Sequence, residues 1–375
     1  MASTQTSTPT PADVRPPESA KAAEDGVSPL RRLRRGRNRR GQTMEDYGLF
    51  GPDSVAWRVW GYPTSLTVGF QRSVVVEELD PFLLASVEAT NKVRTQARTR
   101  YDHTIRYFAT VAFADSRTAV KASEMLTKVH ARNVGIEPLS GNTYDANNPD
   151  SQLWILLTAW HSVLYAYEMY GPGKLSPDDE RRYWEDCVTA AELQTCDPDK
   201  VPRTRGGIRD YFEAVRPRLA ASEATQAMMD HLLNAEVMFP PVPALFKPGA
   251  WIINRSLRAA TIATMPRWQR QLADLHQSRL VDSAVVLPMK IAFRLAAASR
   301  SYQLRLLAMI SPGAVPVVEP VLRGVVPRTQ VTLSPTEAFE RHGVPRPREL
   351  YAQIQDRRRP GVDPGARADD REVPA

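Results

Sequence analysis

The sequence predicts an all-α fold: a single large helical domain, with globin-like helix packing, between two polar ends. Three observations lead there. Apolar residues recur at helical spacing through most of the stretch from residue 102 to residue 310. No run alternates with period two beyond a few residues, 72–77 and 314–318 coming nearest. No βαβ rhythm and no internal repeat is present.

The ends set the domain limits. Residues 1–44 are Ser, Thr, Pro, Ala and Arg with almost no large apolar side chains, so they are expected to form a disordered arm. The helical domain is expected over 45–345. Residues 346–375 read as a mostly disordered tail, with order reaching only as far as Tyr351.

The densest positive charge lies in the arm. Arg31, Arg32, Arg34, Arg35, Arg37, Arg39 and Arg40 together equal the net charge of +7. The sequence pI of 9.5 therefore describes the arm and leaves a neutral body, which argues against specific nucleic-acid binding. The arm is either a solvated tail or a weak contact for an anionic membrane surface. Cys187 and Cys196 lie nine apart without CxxC spacing and read as free thiols in a reducing compartment. There is no apolar run of spanning length and no secretory leader, so a cytoplasmic protein is expected, membrane-peripheral at most.

The elements follow in order. Tyr107, Phe108, Val111 and Ala112 give a helix over 102–113. Asp115 and Ser116 are caps for a second helix over 119–132, whose stripe is Val120, Met125, Leu126 and Val129. Gly135 and Pro138 stop it, and 139–150 is a polar loop. The stretch 151–170 is apolar on all sides and predicts a buried helix. Ser176-Pro177-Asp178-Asp179 opens another, running to about Leu193. Further helices are predicted at 207–215, 222–237, 251–264, 266–275, 278–298 and 299–310.

Common catalytic signatures are missing: no GxGxxG, GxxxxGK[ST], HExxH, GxSxG or EF-hand loop occurs. The six histidines are His103, His130, His161, His231, His276 and His342, with no pair at metal-ligand spacing in one helix. Arg100, His103, Thr104 and Tyr107 stand at i, i+3, i+4 and i+7 and share a helix face. That face suits a lined cavity, though composition alone favours a solvated turn at a helix start. His130 beside its apolar stripe is a ligand or a boundary residue. His161 sits in the apolar helix and needs a partner, from Ser162 or from a neighbouring helix.

The order of several segments resembles the MpaB/latex-clearing-protein (rubber oxygenase) catalytic domain family. These are Leu49-Phe50-Gly51-Pro52-Asp53-Ser54-Val55-Ala56-Trp57-Arg58-Val59, Arg100-x-x-His103-Thr104, Val129-His130-Ala131-Arg132, the helix from Leu153-Trp154 to Glu168, and Met265-Pro266-Arg267-Trp268-Gln269-Arg270. The likeness runs from about Tyr47 to Leu322. It implies an oxygenase that holds haem b and acts on an apolar small-molecule substrate. By position it implies His130 as the axial iron ligand. Arg100 and Thr104 would line the distal side or meet a propionate, and His103 would be a distal donor or a second axial ligand. His161 joins Arg100 and His130 as an expected cofactor-binding residue, and Arg100, His103 and Thr104 are the expected catalytic set.

The pattern departs from the family where Leu156 and Asp80 stand in place of histidines and His161 in place of an acid. Two other functions fit the sequence: a haem- or lipid-binding member of the same fold without turnover, and an interaction protein acting through the arm.

Overall fold

The computed structural model describes residues 44–358. The arginine run and the last 17 residues of the tail fall outside them, and so does the expected disorder there. The described residues form seventeen α-helices and one small antiparallel ribbon, so the all-α class is correct.

Four short helices come first: α1 (Val55–Trp60), α2 (Phe70–Glu77), α3 (Pro81–Thr90) and α4 (Lys92–Thr95). A π-helical turn over Ser65–Gly69 leads into α2 and lies against the later helix α7 (Pro149–Tyr170), after α5 (Ala97–Phe113) and α6 (Ser116–His130). Gly69 permits that approach, because a Cβ there would sit 3.0 Å from Val163 Cα. Asp80 starts α3 by accepting hydrogen bonds from Phe82 N and Leu83 N, with Pro81 at the first turn. Asp115 caps α6 as its sequence suggests, accepting from Thr118 N. Losing the first of these caps is expected to cost about 1 kcal/mol. Urea midpoints should show Asp80→Ala destabilised by that amount and Asp80→Asn close to wild type.

The ribbon pairs β1 (Val134–Ile136) with β2 (Thr143–Asp145), Gly135 facing Tyr144. It occupies part of what reads as a polar loop. Its short strands have no alternating apolar face to announce them.

Helix α7 is the centre of the molecule, packed on by α1, α2, α11 (Lys247–Thr264), α13 (Arg279–Ala297) and α8 (Pro177–Ala191). Its apolar sequence fits this enclosure: Trp154, Leu157, Ser162, Ala166 and Tyr170 are all fully buried. Between α8 and α11 come α9 (Arg205–Val215) and α10 (Glu223–Leu233), and α12 (Arg267–Leu272) joins α11 to α13. Helices α14 (Arg300–Ile310), α15 (Val315–Arg323) and α16 (Pro335–His342) follow. The two stretches nearest to period two, 72–77 and 314–318, fall in α2 and at the start of α15.

One limit needs correcting. The chain does not lose order at Tyr351: α17 (Pro347–Arg358) continues seven residues further. Tyr351 Oη and Gln355 Nε2 both donate to Asp145 Oδ2, at 3.1 and 2.8 Å, which ties this charged helix to β2. Cys187 and Cys196 are free thiols, both completely buried. Among the described residues no helix is long and apolar enough to cross a membrane.

Candidate functional site

A cavity of about 620 Å³ opens between α2, α3, α5, α6 and α7. Arg100, His103, Thr104 and Tyr107 of α5 all line it, with Arg100 and His103 at its solvent-exposed edge, so the helix face legible in the sequence is at once a cavity wall and partly solvated. His130, the last residue of α6, lines it too. The stripe of α6 also turns here. Met125, Leu126 and Val129 form cavity wall, while the core face of α6 is Ala119, Val120, Ser123 and Thr127. Phe70, Val74, Leu83, Phe108 and Ile155 make the rest of the lining predominantly apolar.

His130 sits at a helix C-terminus, where the dipole favours imidazolium. Burial outweighs it. The ring is pushed down to about 4, first by burial and then by the Arg100 charge, with a bond to the Ala146 carbonyl pulling the other way. The imidazole is therefore neutral near pH 7. The ring is half-buried and lines the cavity. Nδ1 stands 3.2 Å from Gln152 Nε2, and that amide also donates to Ala146 O at 2.6 Å. Gln152 thereby fixes the ring.

Arg100 lines the same space, and none of the described hydrogen bonds ends on its guanidinium. Burial lowers its pKa and the Glu77 and Glu78 charges raise it. Thr104 Oγ1 donates back to Arg100 O at 2.9 Å and keeps its lone pairs toward other donors.

Two acids complete the polar end, and sequence reasoning passed over both. Glu77 closes α2 and Glu78 follows it; both line the cavity. Burial raises Glu77 to about 7, against a Ser73 hydrogen bond and the Arg100 charge. Burial raises Glu78 to about 8, helped by the Glu77 and Glu88 charges and opposed by Arg100 and Arg94. Glu78 Oε2 and Gln194 Oε1 are buried in this lining without a hydrogen-bond partner. The one sequence signal was the pair of acids ending the apolar run Val74-Val75-Val76.

These shifts fix a pH response. A raised carboxyl keeps protons in the native state that the unfolded chain has released, so its stabilisation is full below pH 4.5 and gone above about 8 for Glu78. His130 acts in the opposite sense: its contribution is present above pH 6.5 and lost as pH falls toward about 4. Between pH 6.5 and 8 only the carboxyls of this group still titrate. Glu78→Gln is expected to lose less stability than wild type across that window. Urea midpoints at both ends of it measure the difference.

His161 is not brought to this cavity. It lines a second one, of about 320 Å³, with Arg72, Tyr165, Trp184, Phe212, Trp268 and Gln269 among its neighbours. The partner that its burial requires is Arg72 of α2, whose Nη1 stands 3.4 Å from His161 Nδ1. Ser162 Oγ accepts from the same Nη1 at 2.5 Å. Burial first, then the Arg72 and Arg205 charges, hold His161 well below the usual imidazole value. Leu156 is core, and Asp80 has the capping role described above. Arg270 clamps the α11–α12 corner through Asp282 at 2.8 Å and the Met265 and Ala263 carbonyls.

Fold and cavity define an all-helical protein whose largely apolar pocket carries a neutral imidazole and a guanidinium that interacts with two buried carboxyls. The chain belongs to the family described as ER-bound oxygenase mpaB/B'/rubber oxygenase, catalytic domain, whose profile matches residues 57–301. That match includes every residue just named in the first cavity. Comparison with curated proteins gives no match, and comparison with solved structures gives none either. An oxygenase-type catalytic domain is thus what the chain folds into.

Proposed function

We propose that the protein is a haem-dependent oxygenase acting on an apolar organic molecule in the first cavity. The observation that carries this is the gathering of His130, Arg100, His103 and Thr104 around one largely apolar space of about 620 Å³. That volume lies inside the range of about 300–1,000 Å³ usual for ligand pockets.

The residues fit a haem. His130 is neutral, as an iron-ligating imidazole must be, and the Ala146 carbonyl can take the proton of the ring nitrogen that does not meet iron. Arg100 has its guanidinium free of described hydrogen bonds and suits a propionate. Haem, when bound, supplies the activation of dioxygen, which side chains alone do not.

The chain's own contributions are separate from that. The walls from Phe70, Val74, Phe108 and Val129 exclude water and hold an apolar substrate. Glu77, raised to about 7 and held by Ser73, exchanges a proton near neutral pH at its carboxyl. His103 and Thr104 offer hydrogen-bonding groups to whatever lies over the α5 face.

The absorption spectrum of the purified protein tests the reading, with iron measured per chain. A Soret band with about one iron per chain is expected. A colourless protein that takes up no added haem overturns it. His103 supports a second reading, a haem protein without turnover, because a second imidazole in the same cavity can close the iron. A six-coordinate low-spin spectrum that is unchanged by added ligands favours that reading; a band that shifts with added ligand favours the oxygenase. The arm's contact with anionic membranes stays a separate proposal, read by vesicle binding with and without residues 1–44.

A further inference from the structure

We infer that the second cavity is a binding site for a small carboxylate carried on a flat apolar body, with Arg72 as its receptor. Arg72 is only 1% exposed. Its guanidinium contacts are Ser162 Oγ, His161 Nδ1 and the Tyr165 ring, whose centroid is 5.5 Å away, and none of these is an anion. Nε has no partner at all. A buried cation without a counter-charge is unfavourable, and the protein's remedy is either an acid of its own or a bound one.

Its own acids are committed. Glu168 lines the cavity but is held by Arg205 at 2.6 Å, and Arg205 also takes Glu180 at 2.8 Å. Glu213 is turned to Arg216 at 3.5 Å. Neither Arg72 nor His161 gains from them. Burial brings Arg72 down only to about 10, so the group stays charged at neutral pH.

Two more buried polar groups of the same lining lack partners, Trp184 Nε1 and Gln269 Oε1. An indole N–H and an amide that can rotate add donors beside the guanidinium. The planar fork of an arginine matches a carboxylate's two oxygens. Aromatic side chains surround this polar end. Phe212 stands 5.0 Å from the His161 ring, Tyr165 stands 5.9 Å from it, and Trp268 is part of the lining. A volume of about 320 Å³ admits an aromatic or short aliphatic acid and not a long chain. The inference does not depend on haem in the first cavity.

Calorimetry and thermal shift on the full chain test it, with benzoate, its neutral analogue benzamide, acetate and inorganic phosphate as probes. Benzoate is expected to bind one per chain and raise the melting temperature. Benzamide should bind at least about tenfold more weakly for want of a charge to meet Arg72. Acetate should fall between them. Arg72→Met should lose benzoate binding yet melt no lower than wild type without ligand, because a buried unpaired charge has gone. Arg72→Lys keeps the charge and loses the fork, so it should bind benzoate about tenfold less tightly; it carries the test if the Met variant does not fold. Equal binding of benzoate and benzamide overturns the inference. So does benzoate binding that is unchanged in Arg72→Lys, a preference for phosphate over benzoate, or no binding of any probe.

Discussion

His130→Ala should purify as a folded, helical protein with almost no haem absorbance. Alanine is the better helix former, so α6 loses nothing locally. What goes is the only imidazole in the cavity that a second side chain holds in place, through Gln152 at 3.2 Å. Added imidazole should restore part of the band. Gln152→Leu leaves the ligand and removes the amide that anchors the Ala146 carbonyl beside it, a loss of outer support of the kind that weakens metal retention about 10–100-fold. His103→Ala should keep haem and alter its spectrum. His161→Leu should keep haem with an unaltered spectrum, since His161 lines the other cavity. Iron content and the Soret band report all four. A His130→Ala protein with full haem and a wild-type spectrum would remove His130 from the site.

The second large effect concerns Trp154. This side chain is completely buried, its indole N–H donates to Glu77 O at 3.2 Å, and its ring meets Phe212 edge-on at 5.8 Å. Glu77 belongs to the first cavity and Phe212 to the second. Trp154→Ala should cost about 3–5 kcal/mol through the lost burial and the void left behind. A merely local void would leave both sites intact. Here haem retention and benzoate binding should both weaken, while Trp154→Phe restores most of the packing without the hydrogen bond. Urea midpoints give the stability. A loss below about 1 kcal/mol would contradict the central placement of α7.

Much of this was legible in the residues. From α5 to α14 the apolar spacing and the caps Asp115 and Ser176 locate the helices to within a few positions. The i, i+3, i+4, i+7 set on α5 locates a cavity wall for the same reason: the spacing alone puts those side chains on one side. What was not legible has physical causes. Helix α2 reads as alternation because its two polar ends face different cavities, Arg72 one and Glu77 the other, with valines between. Nothing local in Glu77 or Glu78 announces Arg100, more than twenty residues on; only the fold joins them. His161 offered two partners in the sequence, and the fold supplies Arg72. The end of the chain was misjudged because α17 is charged, and its hold on the body is polar, through Tyr351 and Gln355 on Asp145.

The two sealed thiols have a use of their own. A thiol is alkylated as thiolate, and burial pushes Cys187 far up and Cys196 up to about 12. Reagent therefore reaches either sulfur only when the surrounding structure opens. The labelling rate at each then serves as a clock for that opening, native protein against denatured. Cys187 lies within α8 and Cys196 just past its end. Two equal rates would mean that helix and exit segment come apart as one cooperative unit. A faster Cys196 would mean that the exit frays first while α8 keeps its place against α7.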